Sequence, residues 1–440
     1  MIRFSALAFA ALLAAGPAIA QTPPSAVQKV IASAKYKDAV AFVSRDHDRI
    51  VQETIRLTEI PAPPFKEAAK ARAYLELMRQ YGLADVQIDQ EGNVIGSRKG
   101  AGGPLLVVSA HLDTVFPEGT PVKVKREGNR LLAPGVGDDT RGLAVMLAVI
   151  RAFDAAKIET ASDILFVASV GEEGLGDLRG MKYLFLKGPY KDKIKTFIGL
   201  DGGTPQRIAT TALGSKRYRL SFSGPGGHSY GAFGTVNPMY AMGGFLTQFA
   251  TTKVPPRTSY SAGVIGGGTS VNAIPNDSWV EIDMRSASPE ELSKLESRMK
   301  DLAMASVAAE NRARSTANGM ITLKIDLVGD RPAGSMGQPL SGVKQPGEEN
   351  LPVTVKDGKQ LVATVAEAIT AHGLKPEFEA GSTDGNVAMS IGIPAITMAP
   401  GVSGRAHALD EFSDATKDVS ERQIGIIMTT ILATAGMRTD

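Results

Sequence analysis

Leu105-Leu-Val-Val-Ser-Ala110 runs directly into His111-Leu-Asp113. Six apolar or small residues are too few for a buried helix, and a charged pair ends them abruptly. The run therefore reads as a buried strand that delivers polar groups at its carboxyl end. The same grammar repeats downstream: a helix over 140–155, a strand over 163–170, a helix over 179–186 and a strand over 196–200. Strands alternating with helices predict an α/β fold, a mainly parallel sheet with helices on both faces. Ligands of open α/β sheets gather at the carboxyl ends of strands, and the acid- and histidine-rich motifs fall there.

Five motifs carry the chemistry: His111-Leu-Asp113, Gly137-Asp138-Asp139-Thr-Arg141-Gly142, Gly171-Glu172-Glu173-Gly174, Asp201-Gly202-Gly203 and Arg405-Ala-His407-Ala-Leu-Asp-Glu411. Imidazole and carboxylate are ligands that zinc accepts, and the chain has no cysteine to offer thiolate. Residues two apart on a strand share a side, so Asp113 is expected to hydrogen-bond the His111 imidazole and fix its tautomer. Two acids at the start of a helix, as at 138–139, can serve as ordinary caps. Glu172-Glu173 is harder to explain without a cation, because adjacent carboxylates at a buried strand end repel and lose hydration.

In order and spacing these motifs resemble the glutamate carboxypeptidase, peptidase T and carnosinase family of two-zinc exopeptidases, from about Ile50 to near the C-terminus. The resemblance implies two zinc ions per chain. Its Asp-x-Lys-Gly pattern aligns Asp139 with the carboxylate that bridges both metals, with Arg141 in place of the lysine. It puts His111, Asp139 and Asp201 on one zinc and Asp139, Glu173 and His407 on the other. Asp113 becomes the residue that orients His111, Glu172 the general base, and Asp138 a neighbour without a role. Asp at 201, where deacylase branches tend to carry Glu, tilts the reading toward peptides. His228 in Pro225-Gly-Gly-His228-Ser matches the oxyanion-stabilising histidine that often reaches across a dimer. Asn272 and Arg285 match substrate contacts, and Ser382-Thr383-Asp384-Gly385 resembles the peptidase T substrate loop. His47 and His372 read as helix-surface residues.

Working outward, residues 25–58 form one or two amphipathic helices that stop at Pro61-Ala-Pro63-Pro64, and a helix follows over 66–81. Beyond 215 the pattern becomes β-α-β-β-α-β: strands near 216–223, 259–265, 279–285 and 321–328, helices over 238–250 and 289–314. That order predicts a two-layer inserted lid or dimerisation domain over 215–329, with a catalytic domain formed by 21–214 and 330–440. The segment from Asp330 to Gly347 is the return crossing. A helix over 357–372, another after Asp384, a strand over 395–399 and a final helix over 419–435 complete the core.

At the N-terminus, Arg3, the apolar run Ala6–Ala15 and Ala18-Ile-Ala20 form a signal-peptide pattern over 1–20, implying an exported, periplasmic or secreted protein. Without Arg3, 47 basic residues face 46 acidic ones, a balance with no nucleic-acid footprint, and no later stretch would hold the chain in a membrane. The residues thus point to an exported zinc exopeptidase of short peptides, with a possible homodimer through the insert. An N-acyl amino acid amidohydrolase and an acidic-residue carboxypeptidase are alternatives on the same scaffold. Amino- and carboxypeptidase remain open, because the Thr-Asp-Gly loop and Arg285 point opposite ways. A periplasmic binding protein is the alternative of another class; it would need no tandem Glu and no ordered ligand set.

Overall fold

A computed structural model describes residues 23–341 and 353–438. The signal-peptide pattern and the later part of the return crossing lie outside these residues. The predicted strand appears as Gly103–His111, flanked in parallel by Ser162–Ser169 and Ile194–Leu200, with Ala395–Met398 parallel beyond the latter. Phe197, Ile198, Gly199 and Leu200 are all buried, which is possible only if both faces of the sheet are covered. Thr140–Ala155 and Lys417–Ala435 pack on the central strand, and Phe185 from Arg179–Leu186 meets Phe197 edge-on, ring centroids 5.8 Å apart.

Toward its sides the sheet becomes mixed. Ala84–Ile88 and Val94–Arg98 add antiparallel on one side; Arg207–Ala212 adds antiparallel to Ala395–Met398 on the other, and Glu377–Gly381 pairs in parallel with it. With Gly334–Ser335 antiparallel to Arg207–Ala212, nine strands form one continuous sheet whose carboxyl-end rim holds His111, the Glu172 loop and Asp201.

The inserted elements form a second sheet of four antiparallel strands in the order Thr258–Gly267, Asp277–Ser286, Gly214–Ser223, Thr322–Arg331. Asp277–Ser286 buries every second residue, the signature of a sheet with one covered face. That face packs Leu220, Phe222, Val280 and Ile282 against Phe245 of Pro238–Phe249 and Met299 of Pro289–Ala313, a core separate from the main one. Both helices start with a side-chain cap and proline: Asn237 accepts from the Met239 N–H and Ser288 from the Glu291 N–H. Chain entry and exit are neighbours, since Ser215 pairs with Arg331. Among the described residues, no helix is long and apolar enough to cross a membrane.

His47 and His372 are not on the surface as expected. His47 is buried, and the His372 ring spans Ala368 O and Tyr36 Oη at 2.8 and 3.1 Å. His47 lies on the buried side of its helix, and half-buried His372 caps the end of Lys359–Ala371, which polarity alone does not reveal.

Candidate metal centre

Four loops at the rim bring the acid and histidine motifs together. His111 ends its strand with Nε2 2.9 Å from Asp138 Oδ1; His407, on a residue with φ of 66°, places Nε2 3.3 Å from Asp138 Oδ2 and 3.0 Å from Glu173 Oε1. Asp138 therefore lies between the two histidines. Donor atoms of His111, Asp138 and Asp201 lie within 4.8 Å of one another, as do those of Asp138, Glu173 and His407, and those of His111, Glu172 and Glu173.

The expected bridging position of Asp139 is corrected by this geometry. Its carboxylate turns inward, accepting from the His111 N–H at 2.9 Å and the Gly142 N–H at 3.2 Å, so it caps the helix Thr140–Ala155. A Cβ on Gly142 would meet Asp139 Oδ1 at 2.2 Å, so glycine is what lets this cap form. Asp113 also departs from expectation. Its backbone carbonyl faces His111 Nδ1 at 3.0 Å, while its carboxylate accepts from the Glu172 and Glu173 N–H groups at 3.1 and 2.8 Å. Asp113 thus orients the imidazole through its backbone carbonyl, with its carboxylate 3.8 Å from the same nitrogen, while the carboxylate's hydrogen bonds go to the tandem glutamates. Glu411 does the same for the other loop, accepting from the Gly135, Gly137 and Asp138 N–H groups at 3.0, 2.7 and 2.8 Å.

The electrostatics describe a site short of positive charge. Burial pushes Asp201 up to about 7, aided by Asp138, and burial raises Glu172 well above the carboxylate range although Arg331 opposes it. Hydrogen bonds donated to Asp138 and then to Glu173 hold the His407 imidazolium up to about 10. His111 rises well above its ordinary value because Asp138, Asp139 and Glu172 outweigh its burial. Clustered buried carboxylates that can ionise only beside cations, with nitrogen and oxygen donors alone, suit a pair of divalent ions such as zinc. Lys70, fully buried and pushed down to about 8 by desolvation, lies close enough to Asp113, Asp139 and Glu411 for their charges to oppose that shift.

Of the expected substrate contacts, Arg285 reaches the site. It lines a cleft of about 420 Å³ together with Arg217 and Arg331 opposite the acid cluster. Asp283 grips both Arg217 and Arg285 through their Nε atoms, at 2.9 and 2.8 Å. Thr383 lines an adjoining cavity of about 250 Å³ that shares Asp201. Asp384 does not face a cleft: it is buried, accepting from Ser169 Oγ at 2.5 Å, with Oδ1 unpartnered, so its assignment as a substrate contact is corrected. His228 and Asn272 sit together and exposed on the short pairing of Gly227–His228 with Ala273–Ile274, and neither lines the cleft.

Arg217, Arg331 and Lys70 were not singled out in the sequence. Their partners are far along the chain, Arg331 and Glu172 being 159 residues apart. The only local sign was Arg331-Pro332 at a strand end.

A model of Peptidase family M20/M25/M40 matches residues 107–433. A protein of Pyrobaculum aerophilum named as a LysW-lysine/LysW-ornithine hydrolase is 30% identical over 184 residues, 42% of this chain and 49% of that protein. The chain thus spans about half the length of that relative. Among solved structures, the aminopeptidase PepT of Bacillus cereus is similar at a TM-score of 0.65 and 20% identity, over 88% of this chain and 99% of that one. The YXEP protein of Bacillus subtilis, a dinuclear metal-binding peptidase, is similar at 0.61 and 17% identity, over 90% and 99%. At these identities the likeness concerns the fold.

Proposed function

The chain belongs to Peptidase family M20/M25/M40, and from that membership we propose that it is a metal-dependent exopeptidase that hydrolyses short peptides. The observation that carries this reading is Asp138 lying between His111 and His407, with Glu173 and Asp201 completing a donor cage on either side. In the proposed site, one zinc ion would be held by His111, Asp138 and Asp201, the other by Asp138, Glu173 and His407. Two such cations supply Lewis acidity that lowers the pKa of water and polarises a carbonyl.

This chain's own residues do the rest. Glu172 stands beside the cage without being needed to close it, and is placed to take a proton from the attacking water and return it to the leaving nitrogen. Asp113 and Glu411 fix the two ligand loops by their backbone N–H groups, so the donors are arranged before any cation enters. Arg217 and Arg285, aligned by Asp283, offer guanidinium groups to a free substrate carboxylate. That favours a peptide, or an N-acyl amino acid, held by its C-terminal end. His228 is exposed and does not line the cleft; Tyr230 and Phe233 are exposed just after it, and Val271 is exposed just before its pairing partner Ala273. This supports a homodimer in which the partner subunit presents the histidine to stabilise the oxyanion. The pattern over 1–20 supports export to the periplasm or beyond.

A panel of short peptides blocked at the N- or C-terminus tests the reading. Hydrolysis that survives N-terminal blocking, fails on C-terminal amides and stops with a chelator is the expected outcome. Hydrolysis indifferent to chelator, or confined to substrates without a free carboxylate, contradicts it.

A further inference from the structure

Gly171–Leu178, the loop that carries Glu172 and Glu173, is held from two sides. The Asp113 carboxylate anchors it to the large sheet through the Glu172 and Glu173 N–H groups. The second anchor is the inserted sheet. Arg217 Nη1 donates to Gly174 O at 2.5 Å, the Asp330 N–H donates to Asp177 Oδ1 at 2.8 Å, and Lys182 Nζ joins Asp177 Oδ2 to Asp330 O at 2.6 and 2.8 Å. Asp177 and Leu178 sit in succession in the left-handed region, at φ of 57° and 59°. Non-glycine residues avoid that conformation unless their surroundings impose it; Asp177 is held by its contacts with Asp330 and Lys182, and Leu178 by burial in the main core and its N–H bond to Gly171 O at 2.8 Å.

Arg331 is the contact that reaches the proposed base itself. It is the last residue of Thr322–Arg331, 4% exposed, and its guanidinium touches Glu172 Oε1 at 3.3 Å, Glu172 O and Ser382 Oγ at 3.3 Å. Its register partner Ser215 lies on the strand by which the chain enters the inserted sheet, so Arg331 sits at the junction of the two parts. We propose that Arg331 is a positioning residue for Glu172: the inserted sheet, through this guanidinium, sets where the carboxylate stands relative to the donor cage. The planar fork grips both the side chain and the backbone of one residue, which a lysine point charge would not reproduce. This inference rests on the reading of Glu172 as the base. It makes the inserted sheet part of the catalytic geometry of its own chain, separate from any role in dimerisation.

The test compares Arg331→Met, Arg331→Lys, Glu172→Gln and the double variant Glu172→Gln/Arg331→Met, using unblocked dipeptides, metal content and amide hydrogen exchange. Arg331→Met is expected to lower kcat about 10- to 100-fold while KM moves less than about threefold and metal content stays. Exchange within 171–178 should quicken about 10- to 100-fold, since a buried charge-assisted contact to that loop is gone. Arg331→Lys should recover part of kcat and part of the protection. In the Glu172→Gln background, adding Arg331→Met should cost less than about twofold more, because a residue acting through Glu172 has nothing left to position. Raised KM with intact kcat would make Arg331 a substrate anchor and overturn the proposal. So would additive losses in the double variant, or unchanged exchange in 171–178. Near-normal turnover in Glu172→Gln would instead overturn the reading of the base, and this proposal with it.

Discussion

At the scale of single residues, the site turns on which of two neighbouring carboxylates faces the histidines. Asp138 meets both imidazoles, and Asp139 meets backbone N–H groups. Asp138→Asn should therefore abolish tight metal binding, measured by elemental analysis after gel filtration. Asp139→Asn should keep metal and instead lower the melting temperature, because it weakens a helix cap worth roughly 1 kcal/mol. The reverse pattern would restore the assignment suggested by the motif. The tandem glutamates should part in the same way. Glu172→Gln should retain metal and lose on the order of 10²-fold or more in kcat, the usual scale for acid–base work, whereas Glu173→Gln should lose metal. The ligand types were legible in the sequence because acids at buried strand ends demand a cation. The choice between Asp138 and Asp139 was not, since it depends on how the loop backbone turns each side chain. The roles of Asp113 and Glu411 were hidden for a similar reason: each carboxylate serves backbone groups that any residue type would offer.

At the scale of elements, burial decides what could be read. Central strands and amphipathic helices bury continuous or periodic apolar residues, and the expected 140–155 and 179–186 helices match Thr140–Ala155 and Arg179–Leu186. Ala84–Ile88 is mostly exposed and Glu377–Gly381 is half-buried throughout, so neither carries an alternation to detect. Arg207–Ala212 is buried yet built from small and polar residues, so it has no apolar run. The helix Pro289–Ala313 offers a test at this scale. Glu296 receives Lys216 Nζ at 2.5 Å, Lys300 Nζ at 2.6 Å and the Tyr218 hydroxyl, pinning the helix to Gly214–Ser223. Although burial would raise it, those partners pull Glu296 down to about 2. A carboxyl whose folded pKa lies below its unfolded one stabilises above the unfolded value, and that stability fades as pH falls from about 4.5 toward about 2. Glu296→Gln should then cost about 1 kcal/mol at neutral pH, a partly screened charge-assisted contact. The gap between variant and parent in urea melts should narrow as pH falls below about 4.5. A pH-independent gap would remove Glu296 as the electrostatic tether.

At the scale of the whole molecule, the inserted part enters and leaves at one junction, which the change of strand pattern after residue 215 made legible. What it touches was not, because the contacts of Arg217 and Arg331 join segments far apart in the chain. The proposed dimer makes its own demand. His228→Ala should lower kcat by about 10²-fold, the scale of one oxyanion donor, with a smaller change in KM. Mixing that variant with Glu172→Gln should restore part of the turnover if each subunit lends its histidine to the other; no rescue would remove the cross-subunit role. The two-metal cage around Asp138 can be counted by elemental analysis of the protein purified without added metal or chelator. About two zinc or similar divalent ions per chain are expected, the complement of a cage built from six donor contacts of nitrogen and oxygen. Protein that hydrolyses peptides while carrying no transition metal would contradict that expectation.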